Sequence, residues 1–260
     1  MIEAVIHVHN RTEYLERAVE AAVFSAKATD VVVRISSNAS DAAAREEAQS
    51  VARRHGVDIT YSQSSSALDH FYDNVAACKV EHVCLLHDDD FVAPHYFHLL
   101  NQLIACHPDA AGYAPDAKFL IEHSLHQADV SPRRPFKIFP RMLALLYLMG
   151  RCGPPFPCIV YRKDFAVAAF ARAPRFGKYS DTVIVIEAAR AGLWIHPDIA
   201  FTYFMGIHND SRIIDPHARR NLRHWLLRQM LKGTVSFSLT KSLANLKYFL
   251  GRFIKRRLSS

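Results

Sequence analysis

A chain of 260 residues, half of them hydrophobic, is long enough to bury one large core and carry an appendage. It contains no run of about eighteen uncharged apolar residues, which excludes an ordinary spanning helix, and the opening Met1–Val8 lacks the basic segment and apolar core of a secretory signal. A cytoplasmic setting is therefore expected. Cys78, Cys84, Cys106, Cys152 and Cys158 are odd in number and show no paired metal-ligand spacing, so they read as reduced, mostly buried thiols.

The net charge of +7 is unevenly distributed. Residues 215–260 hold 11 Lys and Arg against one acid, a balance of +10, and the preceding 214 residues hold 21 against 24, a balance of −3. The basicity, and whatever anionic partner it implies, belongs to the tail.

Ala4–Val8 reads as a short strand, and Leu15, Val19, Ala22 and Val23 give Glu13–Ala26 a helical face. Val31–Ile35 is β-branched and closes on Ser36-Ser37-Asn38-Ala39-Ser40-Asp41, where Ser40 or Asp41 can cap an Ala-rich helix running to about His55. Ile59–Tyr61 reads as a third strand, Leu68–Lys79 as a helix, His82–Leu86 as a buried strand and Pro94–His107 as a helix. Such alternation predicts parallel strands with crossover helices in an open sheet, whose ligands bind at the carboxyl ends of the strands. Glu122–Pro140, with poor periodicity, reads as a loop over the cleft. A helix is expected over Arg141–Met149, a strand over Cys158–Tyr161, and a helix over Asp181–Ala191 stopped by Gly192. Asp215-Pro216 signals the start of the tail helices.

The densest chemistry lies in Leu85-Leu86-His87-Asp88-Asp89-Asp90-Phe91-Val92-Ala93-Pro94. Three adjacent carboxylates straight after a buried strand repel one another and call for a compensating cation. Hard oxygen ligands suit Mg²⁺ or Mn²⁺, which bind through one or two carboxylates together with substrate phosphates. A solvated acidic turn leading into the Pro94 helix is the other account of the same residues.

An apolar strand, an Asp-x-Asp type signature and a helix-starting Pro resemble the metal motif of inverting family-2 glycosyltransferases. The opening Ile6-His7-Val8-His9-Asn10-Arg11 with Tyr14-Leu15 is similar to that family's first strand and turn, and Ser37-Asn38-Ala39-Ser40 to its turn after the second strand. The resemblance runs over roughly residues 1–211. It implies an A-type glycosyltransferase fold: a mostly parallel open sheet flanked by helices, with a C-terminal helical appendage. Expected boundaries are 1–212 for the catalytic domain, divided into a nucleotide-binding half 1–115 and an acceptor half 116–212, and 213–260 for the basic tail. The implied partners are a nucleotide-diphospho-sugar donor, a saccharide or lipid-linked acceptor, and Mn²⁺ or Mg²⁺.

Carried over residue by residue, the resemblance makes Asp89 the metal ligand, supported by Asp90, and sets Asp88 at the ribose or the waters of the ion. His9, Asn10, Arg11, Ser37, Asn38 and Asn74 fall at the nucleotide. His87 stands where the family often has an Asp, and Ser37 where an Asp usually reads the base. Phe176-Gly177-Lys178-Tyr179-Ser180-Asp181 resembles the element that carries the catalytic base, which makes Asp181 the group that deprotonates the acceptor. A helix cap is the alternative role for an Asp in a first turn. His208, within Phe204–Ser211, is similar to a late His that completes the metal shell or touches the diphosphate. Tyr161-Arg162 is expected on the acceptor side, and His7 as a core histidine.

In the tail, Leu222, Trp225, Leu226 and Met230 share one helical face, and Leu239, Leu243, Leu246, Phe249, Leu250, Phe253 and Ile254 form a second stripe, both rimmed by Lys and Arg. Such a helix suits an anionic membrane surface, which would place the enzyme on the inner face of the plasma membrane in surface-polysaccharide or glycolipid synthesis. Packing on the catalytic body or on a second copy is the alternative. No nucleic-acid reading module is present. Two other functions use the same aspartates: metal-dependent nucleotidyl transfer, and a degenerate, membrane-associated assembly factor.

Overall fold

A computed structural model describes residues 1–64, 66–120, 134–149, 154, 156–204 and 216–231. Residues 2–8 and 31–37 are rich in β-branched and apolar side chains and form strands β1 (Ile2–Val8) and β2 (Val31–Ser37). Helix α1 (Leu15–Ala26) connects them, burying Leu15, Ala18, Val19 and Ala22. Helix α2 (Ala42–His55) starts where Asp41 accepts the Ala43 N–H at 3.1 Å and stops at Gly56, whose φ of 64° is the left-handed conformation open to glycine. Strand β3 (Asp58–Tyr61), helix α3 (Ala67–Ala77) and strand β4 (His82–His87) follow.

The next elements are β5 (Asp90–Val92), α4 (Tyr96–Cys106), β6 (Gly112–Leu120), β7 (Phe136–Ile138), α5 (Pro140–Leu148) and β8 (Val160–Arg162). Then come α6 (Lys163–Arg172), a 3-10 turn (Pro174–Tyr179), α7 (Ser180–Gly192), β9 (Leu193–Phe204) and α8 (Pro216–Leu231). The strands make one sheet ordered β3-β2-β1-β4-β8-β6-β9-β5, with β7 also paired to β9. Pairing is parallel from β3 to β4, as the alternating pattern predicts, and mixed beyond, because β8, β5 and β7 enter antiparallel.

Alternation along the strands divides the core in two. On one face Ile6, Val8, Ile35 and Leu86 pack with Leu15 and Val19 of α1, Val51 of α2 and Phe97 and Leu100 of α4. On the other, Val5, Val83, Leu85 and Tyr161 pack with Val75, Phe170, Val183 and Ile184 from α3, α6 and α7. Helix α8 joins this second layer. Leu226 is 1% exposed, Leu222 is buried, and the Trp225 ring meets Phe176 edge-on at 5.5 Å. The first apolar face of the tail is thus core packing, unlike the membrane-facing role its charge pattern suggested. The second stripe, 239–254, lies outside the described residues. Among the described residues no helix is long and apolar enough to cross a membrane.

Chain direction defines a single working edge. Strand β8 is antiparallel to both β4 and β6, and β6 is parallel to β9, so β4, β6 and β9 point the same way. Helix α7 packs on β9 and β6 and runs straight into β9, so it must travel back across the sheet. Its thirteen residues span about 20 Å at 1.5 Å per residue, enough to cross the sheet. Its N-terminus, carrying Asp181, is therefore at the same carboxyl edge as the end of β4.

Candidate active site

Two loops at that edge are bound to each other through side chains. Asn10, just past β1, accepts the backbone N–H groups of Ser40 (2.9 Å) and Asp41 (3.1 Å) on Oδ1, and its Nδ2 donates to Ser40 Oγ at 3.1 Å. His9 Nδ1 donates to Asn38 Oδ1 at 3.1 Å, which fixes the Nδ1–H tautomer, and Asn38 Nδ2 donates to the Ser64 carbonyl at 3.1 Å. Ser37 is buried and accepts the Ala39 N–H at 3.3 Å. The structure thus brings His9, Asn10, Ser37 and Asn38 together, with His9 and Asn10 open to solvent.

Beside this clamp stands the acidic cluster. Asp88, Asp89 and Asp90 are all buried, in contrast to a solvated acidic turn. Arg11 Nη2 reaches Asp88 Oδ1 at 2.7 Å and Asp89 Oδ2 at 2.6 Å, so one guanidinium serves two carboxylates. Asp90 accepts the His87 N–H on Oδ2 at 3.0 Å, and among the described residues its Oδ1, 1% of the residue being exposed, meets no donor. Burial, and then the neighbouring Asp89, push the Asp90 carboxyl well above its ordinary pKa. Burial also raises Asp88, against the pull of Arg11.

A divalent ion fits these residues. One ligand atom from each of His87, Asp89 and Asp90 lies within 4.8 Å of the others, and Asp90 brings an orphaned oxygen. Asp89 and Asp90 supply the hard oxygens such an ion prefers. His87, which the motif reading treated only as a departure, stands within the ligand group. The pairing of His7 with His87 across β1 and β4 puts the His87 ring on the α3 face at the last position of the strand, a register that motif spacing does not disclose.

Beneath the edge lies a polar layer. Ser36, His7 and His87 are register partners across β2, β1 and β4, and His70 of α3 meets Ser36 Oγ at 2.8 Å. His7 Nδ1 donates to the Leu86 carbonyl at 3.3 Å while Nε2 meets no partner among the described residues; burial holds its pKa well below that of a free imidazole. It is a core histidine, as expected, though only half satisfied. Asn74 is spent inside this layer: Oδ1 accepts from Arg34 at 2.7 Å and Nδ2 donates to the His70 carbonyl at 2.8 Å. Its amide atoms are used within the fold.

Asp181 occupies the first turn of α7, where its Oδ1 accepts the Thr182 N–H at 2.6 Å. The residue is exposed, yet desolvation by the surrounding protein raises its pKa. Ser180 braces this turn by donating to the carbonyls of Ala173 (2.8 Å) and Gly177 (2.6 Å). A file of rings runs inward from the acidic cluster: His87 stacks on Phe71 at 5.6 Å, Phe71 meets Phe156 at 5.5 Å, and Phe156 faces Tyr161 at 6.3 Å. The Tyr161 pKa is raised foremost by burial, then by Tyr147 and by the charge of Asp181. Tyr161 is buried in the sheet and Arg162 pairs with Asp164 at 2.7 Å, so neither lines an acceptor surface as the sequence suggested. His208 lies outside the described residues.

A mixed sheet of this order, with helices on both faces and acidic residues closing β4, is the A-type glycosyltransferase fold. Residues 2–125 match the family model described as "Glycosyltransferase like family 2", so the likeness to family-2 glycosyltransferases carried by the motifs holds for this chain. The crystal structure of S. aureus TarS 1-349 in complex with UDP-GlcNAc superposes with a TM-score of 0.67 at 12% identity, over 98% of this chain and 72% of that one. The complex of TarS 1-349 with UDP gives 0.66 at 12% identity, over 100% and 72%. A longer S. aureus TarS structure gives 0.65 at 11% identity, over 96% of this chain but 43% of that one. At such identities the likeness is one of fold. No curated protein sequence matches the chain.

Proposed function

We propose that the chain transfers a glycosyl group from a nucleotide-diphosphate sugar to a hydroxyl acceptor with inversion at the anomeric carbon. The observation that carries this reading is the group of His87, Asp88, Asp89 and Asp90 at the carboxyl edge, its aspartates buried, with an orphaned Asp90 oxygen and Arg11 paired to Asp88 and Asp89. Those carboxylates suit a dication shared with a diphosphate, and the family likeness over 2–125 supports that class of donor. The solved TarS complexes hold UDP-GlcNAc and UDP, which supports a uridine nucleotide as the first donor to try.

In this reading Asp89 and Asp90, with Asp88 beside them, hold Mn²⁺ or Mg²⁺. When bound, the ion neutralises charge that builds on the departing nucleotide diphosphate. The loops carrying His9, Asn10, Ser37 and Asn38 form the nucleoside side of the site, where the Asn10 and Asn38 amides hold the loops together and the exposed His9 ring offers a surface for the base, and Arg11 adds positive charge at the phosphate side. Asp181 takes the proton of the acceptor hydroxyl as its oxygen attacks the anomeric carbon, and the nucleotide diphosphate leaves from the opposite side. Its desolvated carboxylate is the stronger base for it. His208 completes the metal shell or meets the diphosphate. The domain limits 1–212 and 213–260 go with this assignment, and within the basic tail 215–260 the second stripe, 239–254, with its Lys and Arg keeps the enzyme at an anionic membrane surface where lipid-linked acceptors of surface polysaccharide are made.

Incubation of the full chain with Mn²⁺ and a panel of nucleotide sugars tests this. Release of nucleoside diphosphate with at least one donor, lost in Asp89→Ala and Asp181→Asn, is the expected result. Binding without turnover would replace it with a non-catalytic role, and release of sugar 1-phosphate in place of nucleoside diphosphate with a nucleotidyl transferase.

A further inference from the structure

We propose that His87 is a metal ligand, its imidazole joining the Asp89 and Asp90 carboxylates in a mixed nitrogen–oxygen set that selects transition-metal dications over Mg²⁺. This rests on the metal-dependent reading above and extends it to the identity of the ion.

Three observations carry the assignment. The first is distance. His87 Nδ1 lies 3.6 Å from Asp90 Oδ2, too far for a hydrogen bond. Two ligand atoms on one ion with bonds of about 2.1 Å are separated by roughly 3–4 Å, so the spacing suits two ligands of a shared centre. The second is the unmet oxygen. Asp90 uses Oδ2 for the His87 N–H and leaves a buried Oδ1 with no donor among the described residues. The third is restraint of the ring. Phe71, projecting from α3, stacks on His87 with centroids 5.6 Å apart and planes 25° apart, while the ring remains 35% exposed toward the edge. A stacked ring with an open rim is positioned to ligate at little entropic cost.

The chemical consequence follows from ligand hardness. Mg²⁺ dehydrates reluctantly and favours oxygen, whereas imidazole adds affinity for Mn²⁺, Co²⁺ and later ions in rising order. An aspartate in place of His87 would give an all-oxygen site and add one more negative charge to a cluster already served by Arg11. The histidine instead supplies a neutral ligand, which lowers self-repulsion and shifts preference away from Mg²⁺.

Mn²⁺ bound to the full chain, read by pulsed electron paramagnetic resonance, tests the assignment. Nitrogen-14 modulation is expected in the wild-type protein and should change frequency when histidine is labelled with nitrogen-15. It should disappear in His87→Gln. Competition between the two ions should show the Mn²⁺ over Mg²⁺ preference falling about tenfold or more in His87→Asp. Asp89→Asn should release the ion, which locates the signal at this cluster. Mn²⁺ held through Asp89 with no nitrogen coupling, or with coupling that survives His87→Gln, overturns the role of His87 and leaves the transferase reading standing. A wild-type chain that binds no Mn²⁺ even with a nucleoside diphosphate present overturns both.

Discussion

The guanidinium of Arg11 lies 2.6 Å from Oδ2 of Asp89, and the same nitrogen reaches Asp88 at 2.7 Å. One monovalent cation therefore offsets part of the charge of three clustered aspartates. Removing it, as in Arg11→Met, leaves buried carboxylates uncompensated. Breaking a fully buried pair costs about 3–5 kcal/mol. Because the Arg11 side chain is 35% exposed, a loss of about 1–2 kcal/mol is expected in urea unfolding of the metal-free protein. Added Mn²⁺ should restore most of it, since the ion supplies the missing charge. A loss that Mn²⁺ leaves untouched would mean that Arg11 acts through packing alone.

The pH behaviour of Asp90 gives a second test. Burial and Asp89 raise its pKa well above normal in the fold, while the unfolded chain has a carboxyl near about 3.9. The folded state thus keeps a proton that the unfolded state gives up. The stability this contributes is full below the unfolded pKa and is lost as pH rises through the folded one. Metal binding needs the ionised form, so the gain in Tm from Mn²⁺ should grow over the same range. Asp90→Asn should flatten both trends. Thermal scans of the two proteins at several pH values, with and without Mn²⁺, give the comparison, and parallel curves would contradict it.

Leu226 carries a third. It is 1% exposed and packs with the layer formed by α5 and α7, so Leu226→Ala should cost about 2–4 kcal/mol in denaturant unfolding. A helix serving only as a lipid contact would lose almost nothing on that change.

The contrast between α8 and the first half of the chain says what a sequence can disclose here. Helices α1 and α2 were legible because apolar spacing and a cap at Ser40 or Asp41 are local signals. The opening strands were legible for the same reason. Strand β5 was not, since its three residues are ordered by pairing with β9 more than a hundred positions later. Strands β6 and β9 pair with each other across long separations, and neither carries a turn signal as clear as the first loops. At the site, the aspartates announced themselves through charge crowding after an apolar strand. Membership of His87 in the ligand group depended on its register with His7 and on the Phe71 ring, neither of which spacing reveals. Asn74 shows the opposite failure. Its motif position suggested nucleotide contact, but Arg34 and the His70 carbonyl occupy both ends of its amide.

Asp181 bears the most decisive prediction, because its place rests on chain direction. Helix α7 returns across the sheet, so its first turn is delivered to the edge where β4 ends, and desolvation there raises the pKa of the carboxyl. A general base contributes about 10²–10⁴-fold, so Asp181→Asn should lower kcat by that range with donor KM changed little, because the nucleotide is held elsewhere. The base must be ionised, so activity in the wild-type enzyme should rise with pH through a limb shifted upward from that of an ordinary aspartate, in keeping with the raised pKa of this group. That limb should vanish from the residual activity of Asp181→Asn. Metal binding, read by Mn²⁺ titration, should stay intact in the same variant. A variant that loses Mn²⁺ together with activity would place Asp181 in the metal group, and one that keeps full activity would leave it as the cap of α7, bonded to the Thr182 N–H.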